Sequence, residues 1–144
     1  MKKGGRKMGM FRVKVEVAGL DVKHWTNFEE VVVDTGSESS WLPEKKLRAL
    51  GIKPVKKGRY AMPDGHVVTR ELGYAFLRSG RFITVDEVVF AKSTDHLILG
   101  AHTIEGFHAV VDPLHKKLIP SGPILAVGNT IVKEWKVRSG QKRS

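Results

Sequence analysis

The sequence predicts a mainly β domain, built as a small closed or sandwiched β-barrel with one or two short helices. Three observations indicate this class: many short apolar or alternating runs, turn signals between them, and only two segments with helical character. A chain of 144 residues has room for one domain with one core. Apolar residues make up 41% and charged residues 28%, near globular averages, which argues against wholesale disorder.

The first half of the chain contains two predicted strands and one predicted helix. Residues 11–17 alternate between apolar and charged side chains, which indicates a half-buried strand. Residues 30–33 form a β-branched run that is typical of a buried strand and stops at Asp34. Residues 43–51 begin with Pro-Glu and end with Gly, the signals of a short helix.

Turn signals in the second half predict three hairpins, a buried run, a helical segment and a last strand. The hairpins pair residues 59–62 with 66–69, 73–77 with 82–90, and 109–111 with 117–119. The buried run, the one or two helical turns and the last strand are predicted at residues 97–99, 101–107 and 124–127.

The formal net charge is +10, and most of this excess lies at the two ends of the chain. Residues 1–9 carry +4 and residues 133–144 carry +4, which leaves +2 for residues 10–132. We therefore predict a domain over residues 10–132 between two basic tails. Because basic tails are more often solubilising ends than readers of sequence, we expect from them only weak, salt-sensitive contact with polyanions.

Several classes of protein and site are excluded or disfavoured by composition. The chain has no cysteine, which excludes disulfides and thiolate metal sites. No apolar run approaches the ~18 residues of a spanning helix, and the basic start is not followed by a signal-peptide core, so we expect a cytoplasmic protein without membrane contact. The six histidines follow no metal-binding spacing, and the sequence contains no Gly-x-Ser-x-Gly, so we expect neither a metal nor a serine nucleophile.

The segment Asp34-Thr35-Gly36-Ser37 follows a predicted buried strand and offers chemistry. A carboxylate is held at the exit of a rigid strand, two hydroxyls can brace it, and the glycine allows close backbone approach. Taken alone, the same four residues are more typical of an ordinary turn than of a functional site, because all four favour turns.

The surrounding residues favour the chemical interpretation. The run 31–43 has apolar residues before the Asp and ends in Trp-Leu-Pro, and it resembles the active-site loop of aspartic proteases. The later segment Leu97-Ile98-Leu99-Gly100 resembles the apolar-apolar-Gly signature that packs beneath that loop. The resemblance covers about residues 11–120 and is closest to small prokaryotic retropepsin-like proteins, so it implies a retropepsin-like acid-protease lobe.

The resemblance implies an aspartic endopeptidase that needs no metal, no cofactor and no covalent intermediate. Because only one Asp-Thr-Gly is present, it implies a homodimer in which Asp34 of each copy supplies one carboxylate of a dyad. Peptides or unfolded proteins are the implied substrates, bound as an added strand.

The resemblance also assigns supporting roles. Thr35 bonds across the dimer axis, Gly36 lets the loop approach substrate, and Ser37 bonds the outer oxygen of Asp34. Leu99 and Gly100 support the loop from below. The tip of a substrate-covering flap is formed by Met62, Pro63, Asp64 and Gly65.

Two departures from the retroviral pattern affect how the copies pair. A helix at 43–51 has no clear counterpart there, and basic chain ends from two copies repel each other. We therefore expect the dimer to use other surfaces, with residues 124–127 as one candidate. Two alternatives stay open: a non-catalytic peptide-binding or dimerisation module on the same fold, and a polyanion-binding protein that acts through its tails.

Overall fold

The structure is a computed structural model that describes residues 10–139, so the predicted tail at 1–9 and residues 140–144 lie outside it. Its strands are β1 (Arg12–Ala18), β2 (Trp25–Val33), β3 (Ser40–Pro43), β4 (Lys56–Ala61), β5 (Val67–Ser79), β6 (Phe82–Ala91), β7 (Ile98–Leu99), β8 (Ala109–Asp112) and β9 (Lys117–Pro120). Its helices are α1 (Glu44–Ala49), α2 (Ala101–Gly106) and α3 (Asn129–Ser139). The predicted mainly β class is confirmed.

Seven strands form one sheet that closes on itself. The strand order is β1-β2-β7-β3-β6-β5-β4, and β1 also pairs with β5, which joins the two sides of the sheet into a ring. The ring resembles a small barrel, as predicted, with β4 attached outside it through the first half of β5. Closure leaves fewer unpaired strand edges than an open sheet of the same length.

Strand β5 is longer than the sequence indicated. The separate strands predicted at 66–69 and 73–77 are one strand of 13 residues. The apolar pattern breaks at Arg70 and Glu71, but their backbones stay in the β4–β5 ladder opposite Gly58 and Lys57. The Arg70 side chain pairs with Asp95, and the Glu71 side chain pairs with Arg48. Because both charges are paired, the strand continues through these two residues.

Apolar side chains inside the ring form the main core. Among the largest fully buried side chains are Phe28, Phe90, Leu42, Leu47 and Leu99. A second, smaller cluster consists of Trp41, Leu72, Val89 and Ala91, with the partly buried Tyr60 and Met62 packed against it. This second cluster fastens the β4–β5 hairpin to the ring.

Helix α1 forms where the sequence predicted it. Pro43 precedes it, Glu44 lies in the first turn, and Gly51 follows the C-terminus with φ of +81°. Leu47 is fully buried and anchors the helix to the core, while Arg48 bonds Glu71 of β5.

The C-terminal part differs from the prediction. Strands β8 and β9 form the predicted hairpin, as a separate two-stranded sheet. The strand predicted at 124–127 is wrong, because these residues pair with no strand in the part of the chain that the structure describes, and Ile124 and Leu125 are exposed. Gly122 has φ of +83°, and Pro123 has no N–H for a ladder, so the chain turns away from the sheet before this segment.

Helix α3 was not expected, since residues 133–139 were assigned to a tail. It begins beyond Gly128, whose carbonyl accepts a bond from the Val132 N–H at 3.0 Å. Lys136 and Arg138 lie in its last turn, where positive charge interacts favourably with the helix dipole. Within residues 10–139, no helix has the length and apolar character needed to cross a bilayer.

Candidate active site

Asp34 lies at the point where β2 leaves the ring. Strand β2 runs parallel to β7, with Val33 opposite Leu99, and the Asp34 N–H donates to the Leu99 carbonyl at 3.0 Å. The Oδ1 atom of Asp34 accepts a hydrogen bond from the Gly36 N–H at 2.9 Å. One residue of the segment 97–100 therefore holds the backbone of Asp34, and the following turn orients its carboxylate.

The loop of residues 34–40 continues from this turn. The Ser37 N–H donates to the Asp34 carbonyl at 3.1 Å, which closes the turn. The Ser37 hydroxyl donates its single proton to the Ser39 carbonyl at 2.9 Å. The expected bond from Ser37 to the outer oxygen of Asp34 is therefore not formed. Thr35 is exposed, and its hydroxyl bonds no other side chain or backbone group of the described residues.

Gly100 lies directly beneath this loop. A Cβ atom on it would come within 2.3 Å of the Ser39 carbonyl oxygen and 2.9 Å of the Ser37 carbonyl oxygen. The next two N–H groups, of Ala101 and His102, donate to the carbonyls of Ser37 at 2.7 Å and Glu38 at 3.1 Å. The start of α2 and the loop thus satisfy each other's backbone groups, and only glycine allows their close approach.

The β4–β5 hairpin overhangs the same region. Its turn is closed by two bonds, from the Met62 N–H to the His66 carbonyl and from the Gly65 N–H to the Met62 carbonyl, both at 2.8 Å. Gly65 has φ of +95°, which favours glycine. Asp64 accepts bonds from the backbone N–H and the ring of His66, and these bonds lower the pKa of its carboxyl group.

A cleft of about 480 Å³ separates the loop from the hairpin. It is lined by Asp34, Gly36, Ser37, Glu38, Ser39, Trp41, Tyr60, Ala61, Met62, Pro63, Asp95, His96 and Ile98. Trp41 and Tyr60 form an edge-to-face pair with ring centroids 5.1 Å apart, and burial raises the pKa of the Tyr60 hydroxyl. The cleft therefore combines the carboxylates of Asp34, Glu38 and Asp95 with an apolar, aromatic wall.

Five of the ten predicted site residues line this cleft. The structure brings Asp34, Gly36, Ser37, Met62 and Pro63 to its lining. Leu99 and Gly100 lie beneath the loop, and Asp64 and Gly65 lie at the exposed turn of the hairpin.

Asp95 and His96 also line the cleft, but the sequence did not predict them as site residues. They belong to no motif, and the loop between β6 and β7 brings them to the cleft.

A buried ion pair joins this loop to the hairpin. The Nε and Nη2 atoms of Arg70 bind the two carboxylate oxygens of Asp95 at 2.7 and 2.9 Å, and the two side chains are 13% and 6% exposed. The hydrogen bonds from Arg70 hold the pKa of Asp95 below its ordinary value of 3.8. Bidentate geometry of this kind stabilises one arrangement of hairpin and loop.

Replacing Asp95 by asparagine is expected to lower the free energy of unfolding by about 3 kcal/mol at neutral pH, because Arg70 loses a buried partner. The pKa of Asp95 is lower in the folded state, so its contribution is present above pH 3.8 and is lost as the pH falls through the folded value. Urea unfolding of both proteins from neutral pH downward should show the difference shrink only in acid. As control, Glu16→Gln disrupts the more exposed pair with Arg78, which solvent screens, and should lower the stability much less than Asp95→Asn does.

Comparison with known families agrees with this geometry. A profile described as aspartyl protease matches residues 13–113, which is more than half of the chain. The match and the ring-shaped sheet together show that the chain is of the retropepsin-like type. The chain belongs to the aspartyl protease family. No curated protein matches the chain significantly.

Proposed function

We propose that this protein is an aspartic endopeptidase whose site forms when two copies pair. The observation that supports this best is the position of Asp34, at the floor of a cleft covered by a hairpin and on a loop held by Leu99 and Gly100. One chain brings one Asp-Thr-Gly carboxylate to the cleft.

The second carboxylate is proposed to be Asp34 of a second copy. Within the described residues, the cleft is also lined by Glu38 and Asp95. Arg70 binds both oxygens of Asp95, and neither carboxylate lies in an Asp-Thr-Gly segment, so neither is proposed as the dyad partner. Thr35 and Gly36 are exposed at the tip of the loop, so two loops can meet there across a two-fold axis. The free hydroxyl of Thr35 is proposed to bond the partner loop.

The dyad would work by sharing a proton. Two carboxylates about 3 Å apart cannot both ionise easily, so one stays protonated and the titration belongs to the pair. The ionised Asp34 takes a proton from water, and the water oxygen attacks the peptide carbonyl. The protonated Asp34 donates to the carbonyl oxygen and stabilises the developing charge.

The β4–β5 hairpin is proposed to close over the bound peptide. An extended peptide bonds through its backbone, and the pocket wall selects its side chains. The wall includes Trp41, Tyr60, Met62 and Ile98, so we expect apolar residues next to the cleaved bond. Closure would exclude bulk water from the dyad.

Digestion of an unfolded protein, followed by mass spectrometry from about pH 4 to pH 7, tests the proposal. We expect cleavage by the wild type and none by Asp34→Asn, with apolar residues beside the cut sites. The oligomeric state is measured on the same samples by sedimentation. Absence of cleavage in a dimeric sample would contradict the enzyme and leave a peptide-binding module on the same fold.

A further inference from the structure

Within the described residues, three polar residues are buried as a whole, backbone and side chain together, and their side chains form one connected series of hydrogen bonds. Ser40, Thr103 and Asp86 are 0%, 0% and 6% exposed. The hydroxyls of Ser40 and Thr103 lie 2.6 Å apart, and the Thr103 hydroxyl donates to Asp86 Oδ2 at 2.7 Å. These residues come from β3, α2 and β6, so the chain crosses three elements beneath the candidate site.

The carboxylate of Asp86 sets the direction of every bond in this chain. A threonine hydroxyl has a single proton, and Thr103 donates it to Asp86. The Ser40 hydroxyl must then donate to Thr103, which leaves its lone pairs to accept the Gly100 N–H at 2.9 Å. The order is therefore Gly100 to Ser40 to Thr103 to Asp86.

The other oxygen of Asp86 is also bonded. Its Oδ1 accepts the Glu87 N–H at 2.7 Å and lies 2.8 Å from Nδ1 of His102. The carboxylate of Asp86 is thus held in one orientation by bonds to both of its oxygens. A buried network in which every member is bonded specifies one geometry more sharply than apolar packing does.

The series of hydrogen bonds ends at Ser40 and Gly100, the two residues that determine the position of the Asp34 loop. Ser40 is the last residue of that loop, and Gly100 is the residue on which the loop rests. The bond between them at 2.9 Å fixes the end of the loop against the same segment whose Leu99 carbonyl holds its beginning.

We propose that Asp86 is a positioning residue for the candidate catalytic loop, acting through Thr103 and Ser40. The proposal deepens the proposed protease function and rests on it. Two loops must present their carboxylates to each other at a defined separation, and small displacements of catalytic groups are costly to the rate. Asp86 is not among the residues that line the cleft containing Asp34, so its proposed effect on the loop is transmitted through Thr103 and Ser40 and not by contact with the cleft.

The variants Thr103→Val and Thr103→Ser test this. Valine keeps the branched shape and removes the hydroxyl, whereas serine keeps the hydroxyl and removes the methyl group. We expect Thr103→Val to lower kcat about tenfold or more with little change in KM, and Thr103→Ser to stay within about threefold of wild type. A loss of kcat that is equal in both variants, or wild-type kcat in Thr103→Val, would overturn the proposal.

A second measurement does not depend on peptide cleavage. Amide hydrogen exchange should speed up selectively at Gly100, Ala101 and Asp34 in Thr103→Val, and remain near wild type in Thr103→Ser. Uniform acceleration that includes the core residue Val89 would indicate general destabilisation and contradict a positioning role. If the wild type cleaves no peptide, the proposed enzyme fails, and the exchange pattern alone decides whether Asp86 positions the loop.

If Thr103→Val does not fold, Ser40→Ala provides the same break one residue nearer the loop. It removes the acceptor of the Gly100 N–H and creates only a small cavity. The same exchange pattern and the same loss of kcat are expected, and wild-type values for both would overturn the proposal.

Discussion

Replacing Asp34 by asparagine should abolish peptide cleavage while the fold persists. Asparagine has the size of aspartate, and its Oδ1 can still accept the Gly36 N–H that shapes the turn. The variant loses the base that activates water and the shared proton of the dyad, so the rate should fall on the order of 10²- to 10⁴-fold or more. Cleavage assays at matched dimer concentration, with circular dichroism to confirm folding, measure this.

Mixing wild type with Asp34→Asn separates a paired site from a single one. If subunits exchange freely, chains of each kind pair at random, and a mixed dimer has only one carboxylate. With equal amounts, the activity per wild-type chain should fall to about half, and with ninefold excess of the variant to about a tenth. Activity per wild-type chain that stays constant, in a mixture shown to exchange subunits, would rule out the dyad.

Replacing Gly100 by alanine should produce the largest loss of stability among single methyl additions near the site. The added Cβ would lie 2.3 Å from the Ser39 carbonyl oxygen and 2.6 Å from its carbon, both backbone atoms that cannot rotate away. The loop or α2 must move, which would break the bonds from Ala101 and His102 to Ser37 and Glu38. We expect a cost of about 3 kcal/mol in the free energy of unfolding.

Gly128→Ala is the matched control for this substitution. Apart from its chain neighbours, no heavy atom of the described residues lies within 4 Å of the Cβ position at Gly128, so alanine should change stability by less than about 0.5 kcal/mol. Denaturant unfolding of the two variants against wild type gives the comparison. Near-equal stability of Gly100→Ala and Gly128→Ala would show that the loop does not rest on Gly100.

The sequence predicted well those elements whose formation depends on interactions between residues close together in the chain. The alternation at 11–17 and the β-branched run at 30–33 became strands β1 and β2, and Pro43, Glu44 and Gly51 bound helix α1. The turn at 63–65 became a hairpin tip because Gly65 takes a positive φ there. Each of these depends on residues that are close neighbours in the chain.

Sequence patterns predicted the structure less reliably where a segment's conformation depends on residues distant in the chain. Arg70 and Glu71 interrupt an apolar pattern, yet β5 continues because Asp95 and Arg48 meet them. The apolar run 124–127 has the composition of a strand, but among residues 10–139 it pairs with no strand. Ser37 was expected to bond Asp34, and it bonds Ser39 because the loop curls over Gly100.

By itself, the sequence determined the mainly β class, the carboxylate at Asp34 and the Leu-Gly segment that lies under it. Only the tertiary structure decided that the sheet closes through β1 and β5, that Asp95 is bound by Arg70, and that Ser40, Thr103 and Asp86 connect. The physical reason is separation along the chain. Ser40 and Thr103 are 63 residues apart, and Thr103 and Asp86 are 17 apart, so only folding brings their hydroxyls and carboxylate within hydrogen-bond distance.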